Sequence, residues 1–446
     1  MMKITKESLD QFKDKYNGDE TNRAVQNAIA KVGINKSSLD NNVTRRHNFV
    51  FSDETKKGAI TNQKSSGRCW MFAALNAARV DTMEKLNVET FEFSQNYTLF
   101  WDKLEKSNYF LDSIIETVDE PLNSRLVQYL LMDPVQDGGQ WDMFSGILKK
   151  YGAVPKAAMP ETYHSSNTNE LNQLLTAKLR DFAAKIRGSY KEGKTTNQLI
   201  EQKEAYLYFV YSLLVKTLGE IPETFTYEYR DKDKEFHRIS EITPREFFKK
   251  YVAWDLEERV SLINAPTEDK PFGKAYTVKY LGTIKEAQPV KYVNAPIDAL
   301  KNAAVQSIKE GEPVWFGCDV GKMLDRESGI MDDRTYDYEA TLGESVELTK
   351  AQRLDYGESL LTHAMVLVGV DLDEKGNPIK WKVENSWGDK SGDKGIYSMS
   401  DKWFDEYTYQ VAVKRTFIET KWLKSLEEPV IELEPWDPMG ALARLK

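Results

Sequence analysis

The spacing of apolar residues changes character partway along the chain, and that change limits the folds open to it. From Cys69 the run CWMFAALNAARVDTMEKL is rich in Ala, Leu and Met and apolar on most faces for its first three turns, the pattern of a buried helix. Residues 168–218 continue with long helical patterns, with breaks expected at Gly188 and Gly193. Strand-like alternation begins near residue 274 with KAYTVKYLGTI and recurs in PVWFGCDV, HAMVLVGVDL, IKWKVENSW and YQVAVKRTFI. Helix first and strand afterwards, without repeats, predicts an α+β chain with a helical insertion. The first 60 residues read as a charged helical lead-in, capped at Thr5 with Glu7 and Ser8 following, and then a loop-rich passage.

At 446 residues the chain exceeds what one hydrophobic core usually serves, roughly 250 to 300 residues, so two or three structural units are expected. The start, MMKITKESLDQFKDKY, has no signal-type apolar stretch, and AYLYFVYSLLV at 205–215 is too short to cross a bilayer, which predicts a cytoplasmic protein with no membrane partner. Two cysteines make no disulfide framework and fit a reducing compartment. A formal net charge of −9 argues against generic nucleic-acid binding.

Cys69 stands in TNQKSSGRCWMFAALN at the edge of its apolar run, whereas Cys318 lies inside one, in VWFGCDV. Ser65, Ser66 and Gly67 place Cys69 at a helix N-terminus, where unpaired N–H groups and the macrodipole favour a thiolate. Four histidines exist; His47, His164 and His237 sit among polar residues and read as solvated, while His363 opens a strand. In the next strand Ile379, Trp381, Val383 and Asn385 form the inward row and alternate with Lys380, Lys382 and Glu384, which face outward. A turn centred near Glu374 would set Asn385 opposite His363, where its amide oxygen can fix the imidazole tautomer. Gln63 and the Cys69 N–H could together stabilise an oxyanion, and Trp387 could shield the His–Asn pair. Acidic groups such as Asp371, Asp373 and Glu374, or Asp332 and Asp333, read as solvated turn charges and not as a metal site.

QKSSGRCWMFA and NSWGDKSGDKG resemble the papain-type cysteine peptidases. The secreted members carry a disulfide-forming cysteine three residues before the nucleophile, and here that position is Ser66. The wide Cys–His separation and the stretches SQNYTLFWDKLEK, VQDGGQWDM, VWFGCDVGK, LTHAMVLVGV and EPWDPMGALA resemble the cytosolic bleomycin hydrolase and bacterial aminopeptidase C family from end to end. The resemblance implies a papain-like two-lobe fold with helical insertions, an N-terminal hook and a C-terminal arm. Its divisions would be 1–60 hook and lead-in, 61–165 nucleophile lobe, 166–270 helical insertion, 271–425 strand-rich lobe and 426–446 arm. It implies a homohexameric ring, peptide substrates, no metal or organic cofactor, Cys69, His363 and Asn385 as catalytic residues, Gln63 at the oxyanion, and substrate contacts at Gly138, Gly139 and Trp387. Aminopeptidase action through a thioester is expected; an endopeptidase or oligopeptidase with the same residues, or a nucleic-acid-binding ring, are the rival readings. In this family the arm places its terminal carboxylate in the cleft, and Arg444, Leu445 and Lys446 extend beyond the alanine where members commonly stop. They would displace that carboxylate or be trimmed.

Overall fold

The computed structural model describes residues 3–252 and 254–442. The helix Cys69–Lys85 has fourteen buried residues and lies against the helices Gln95–Glu116 and Trp141–Tyr151. Gln95–Glu116 starts where the Ser94 hydroxyl accepts the Tyr97 N–H at 3.0 Å. The long pair Asn169–Lys191 and Thr196–Leu218 packs on Gln95–Glu116 and on each other. Only one of the two expected glycine breaks exists. Gly193 has φ +89° between the helices, whereas Gly188 continues the first, because its penalty of about 1 kcal/mol is small beside the burial of Phe182, Ile186 and Ser189 around it. The lead-in is helical, with Thr5 accepting the Ser8 N–H at 3.2 Å.

Strands begin earlier than the alternation near residue 274 suggested. Phe225–Arg230 and Phe236–Ile242 form a separate antiparallel pair, and Arg259–Ile263 joins the main sheet. That sheet has 12 strands, and its middle runs Thr408–Lys414, Val314–Cys318, His363–Leu372, Pro378–Glu384 and Ile396–Ser400, each antiparallel to the next. Both faces of the middle are covered. Trp315, Ala364, Val366 and Val368 belong to one core with the Cys69 helix; Val314, Phe316, Cys318, Met365 and Leu367 belong to a second core with the helix Ile297–Lys309. Covering on both sides is why these segments read as continuous apolar runs. The end of the chain is extended: Ile431–Leu433 pairs in parallel with Lys274–Val278, and a turn at Pro438–Gly440 leads to Ala441. Ala443, Arg444, Leu445 and Lys446 lie outside the described residues.

Candidate active site

Cys69 is the first residue of its helix, and no side chain caps that end. The preceding turn is held instead by Arg68, fully buried, whose guanidinium pairs both oxygens of Glu161 at 3.0 and 2.8 Å while its Nε donates to Ser66 Oγ at 2.9 Å. Burial pushes the Cys69 thiol up to about 12, against hydrogen bonds from the backbone of Ala364, Trp70 and Cys69 itself that favour the thiolate. The expected lowering by the helix terminus is thus outweighed by desolvation. Contact with Ala364 brings the sulfur to the residue that follows His363.

His363 is buried, and its Nε2 lies 3.0 Å from Asn385 Oδ1. An Nε2–H donated there leaves the Nδ1 lone pair available, and Nδ1 has no hydrogen-bond partner among the described residues. Burial lowers His363 to about 4, the Asn385 bond opposes this, and the Arg326 charge adds to it. At the His363 end the strand register differs by two residues from the simple hairpin count. The turn closes from Asp373 to Asn377, the partners run Val366↔Glu384 and Leu367↔Val383, and Asn385 lies just beyond the end of its strand. A shift of two keeps each side chain on its face, so the pair still meets. Within the inward row, Trp381, Val383 and Asn385 are buried but Ile379 is 51% exposed, because it lies beside the turn. Glu384, assigned to the outward row, is buried as well, and it accepts from Arg79 of the Cys69 helix at 2.6 Å.

Gln63 is buried beside them. Its Nε2 donates to Ser66 O at 2.7 Å, its Oε1 accepts from Ser386 Oγ at 2.7 Å, and its backbone N–H donates to Ser386 O at 2.8 Å. The amide orientation is therefore set, with one N–H left over. Trp387 covers the imidazole at 4.9 Å between ring centroids, and the Arg326 guanidinium lies over the indole at 4.3 Å. Gly138 and Gly139 are both buried. A Cβ on Gly139 would fall 2.5 Å from the Trp70 indole, so close approach at that position is made by Trp70 itself.

A buried charge network lies under this loop, unread in the sequence. Asp137 accepts from the Gly67 N–H at 2.7 Å, Lys103 Nζ at 2.8 Å, Asn172 Nδ2 at 2.8 Å and the Thr168 hydroxyl, while its carbonyl accepts from Trp70 Nε1 at 2.6 Å. Lys106 joins Asp102 at 3.0 Å to the carbonyls of Gln136 and Gly138. The glycines of VQDGGQW are visible in the sequence, but no local pattern says which carboxylate a distant lysine reaches. Two polar assignments are corrected. His47 is not solvated; its ring nitrogens meet Ser398 Oγ at 2.9 Å and Asp332 Oδ2 at 3.0 Å. Asp332 is likewise buried, and it is held low, to about 2, by the His47 and Arg334 bonds against the cost of burial. Among the described residues no group of three or more His, Cys, Asp or Glu is arranged to hold a metal ion.

A thiol at a helix start in one lobe, with a His–Asn pair carried by the sheet of the other, defines the papain-like class of cysteine peptidases. The chain belongs to the Peptidase C1-like family, whose profile matches residues 3–440, and within it to the bleomycin hydrolase and aminopeptidase C group. It is 48% identical to aminopeptidase C of Listeria monocytogenes over 99% of both chains, and 44% identical to human bleomycin hydrolase over 89% of both. A solved structure of PepW from Lactobacillus rhamnosis superposes with a TM-score of 0.97 at 47% identity, covering 99% of both chains.

Proposed function

We propose that the chain is a cysteine aminopeptidase that removes N-terminal residues from peptides through a thioester on Cys69. His363 Nδ1 takes the thiol proton as sulfur attacks the carbonyl carbon, and Asn385 keeps the imidazole in the tautomer this requires. The Gln63 amide and the Cys69 N–H take up the charge growing on the carbonyl oxygen. The imidazolium then protonates the departing amine, and water, deprotonated by His363, hydrolyses the thioester.

The observation that carries the exopeptidase reading is the seat of the C-terminal arm. Gln140 Nε2, next to Gly138 and Gly139, donates to Ala441 O at 2.5 Å. Gly440, Ala441 and Leu442 line a cavity of about 350 Å³ together with Thr362, the neighbour of His363. In this reading the seated arm limits how much chain can precede the scissile bond. Matched peptides with free and acetylated N-termini test this. The full-length enzyme should cleave the first and spare the second, and truncation before Gly440 should admit the acetylated peptide. Continued rejection by the truncated enzyme would refute the role of the arm. The endopeptidase and nucleic-acid readings are not favoured, the latter on account of the net charge of −9.

Among the described residues no helix is long and apolar enough to cross a membrane, and we assign the enzyme to the cytoplasm as a homohexamer. The helices Lys6–Asn17 and Thr21–Val32 bury no residue within the chain, and Phe12 and Tyr208 are 63% and 74% exposed. Such apolar surface gains from burial between subunits. Light scattering at the mass of six chains supports this assembly, and a mass of one chain at all concentrations rules it out.

A further inference from the structure

Arg326 lies beside the reacting groups with no carboxylate partner among the described residues. Other arginines near the core are spent on carboxylates: Arg68 on Glu161, Arg79 on Glu384, Arg259 on Glu312 and Arg353 on Glu406. Arg326 makes no ion pair or hydrogen bond among the described residues, and it is exposed. Its position is nonetheless defined. The loop carrying it is a tight turn in which Asp325 takes the Ser328 N–H at 3.2 Å, the Asp325 carbonyl takes the Gly329 N–H at 2.9 Å, and Glu327 O takes the Gly392 N–H at 3.2 Å. The guanidinium lies over the Trp387 indole at 4.3 Å, and a guanidinium stacked on a ring can still donate its N–H groups to a ligand.

The side of the cleft follows from the chemistry. His363 must hand its proton to the leaving nitrogen, so the leaving portion begins at the imidazole, and Trp387 with Arg326 flanks the imidazole there. The acyl portion carries the free N-terminus, and under the aminopeptidase reading the arm that Gln140 holds at Ala441 limits that portion and not the leaving one. A residue adds at most about 3.8 Å between Cα atoms, so the carboxylate ending a leaving portion of one or two residues falls within the reach of an arginine standing over Trp387.

We propose that Arg326 is a specificity-determining residue that binds a carboxylate on the leaving portion, chiefly the free C-terminal carboxylate of a di- or tripeptide. A planar guanidinium offers two parallel N–H bonds to such a group. The enzyme would thereby favour short, fully free peptides, the products that larger peptidases release. This rests on the aminopeptidase reading, and the two fail differently. Hydrolysis of an aminoacyl arylamide, which has no carboxylate, reports the reaction itself, and its absence would count against the aminopeptidase and not against the receptor.

The test measures kcat/KM at neutral pH on one tripeptide as the free acid, as its C-terminal amide, and as an amide with Asp in the first leaving position. The acid-to-amide ratio on a single enzyme cancels any general change in turnover. Wild type should prefer the acid by about tenfold or more, as removing a charge-assisted bond normally costs. Arg326→Gln should bring the ratio near one, chiefly through KM, and Arg326→Lys should restore part of it. A preference regained by the Asp amide would assign the same receptor to side-chain carboxylates as well. Equal rates on acid and amide in wild type, or an unchanged ratio in Arg326→Gln, would overturn the proposal.

Discussion

Replacing Asp137 with Asn keeps the shape of a buried side chain and removes its charge, and the consequence can be worked from its partners. The carboxylate accepts four hydrogen bonds, from Gly67 N–H, Lys103 Nζ, Asn172 Nδ2 and the Thr168 hydroxyl. An amide presents one oxygen and two N–H groups to the same four donors, so about half the bonds are lost. Lys103, its side chain fully buried, loses its counter-charge. Breaking one side of a buried pair typically costs about 3 to 5 kcal/mol. With an unfolding entropy of about 2.1 cal/mol/K per residue, a chain of 446 residues has roughly 0.9 kcal/mol/K, so Tm should fall by about 3 to 5 °C. Tryptophan-monitored urea and thermal unfolding of Asp137→Asn provide the assay, with Lys103→Met/Asp137→Leu as the second variant. That pair, which leaves no stranded charge, should recover part of the loss. Charge partners hold the Asp137 pKa below its unfolded value, so its contribution is present above about pH 4 and fades as pH falls further. The gap between wild type and Asp137→Asn should therefore narrow in acid. A single variant costing under about 1 kcal/mol, or a gap independent of pH, would show that the carboxylate does not hold the Gly67–Cys69 turn.

Cys69→Ala should abolish peptidase activity with the fold intact, whereas Cys318→Ala, in the second core, should cost stability and little activity; thiol alkylation with peptide mapping that links inactivation to Cys318 would contradict this. His363→Ala should lower kcat by about 10² to 10⁴ and Asn385→Ala by less, because the base survives without its orienting partner; steady-state kinetics on both folded variants decide it. The base form of His363 is required, and burial holds the group near 4, so kcat/KM should fall only as pH drops through about 4, with Arg326→Gln moving that limb upward; a limb at the ordinary histidine value in wild type would argue that the imidazole is solvated.

Much of the chemistry was legible because it depends on local pattern. Cys69 at the edge of an apolar run, His363 at a strand start and Asn385 at the end of an alternating row are each readable from spacing within a dozen residues, and a register error of two cannot move a strand residue to the other face. The same locality explains the misreadings. Gly188 looks like a helix break until the packing of Phe182 and Ile186 outweighs its propensity. His47 and Asp332 look solvated until the fold brings them together across a separation of 285 positions. Glu384 looks outward until Arg79 reaches it from the opposite lobe. Periodicity by itself determined the α+β order, the buried helix and the identity of the thiol. The state of that thiol, the charge network on Asp137 and the stacking of Arg326 were decided by tertiary structure, because burial and long-range pairing set the energy of a charge, and neither is encoded in neighbouring residues.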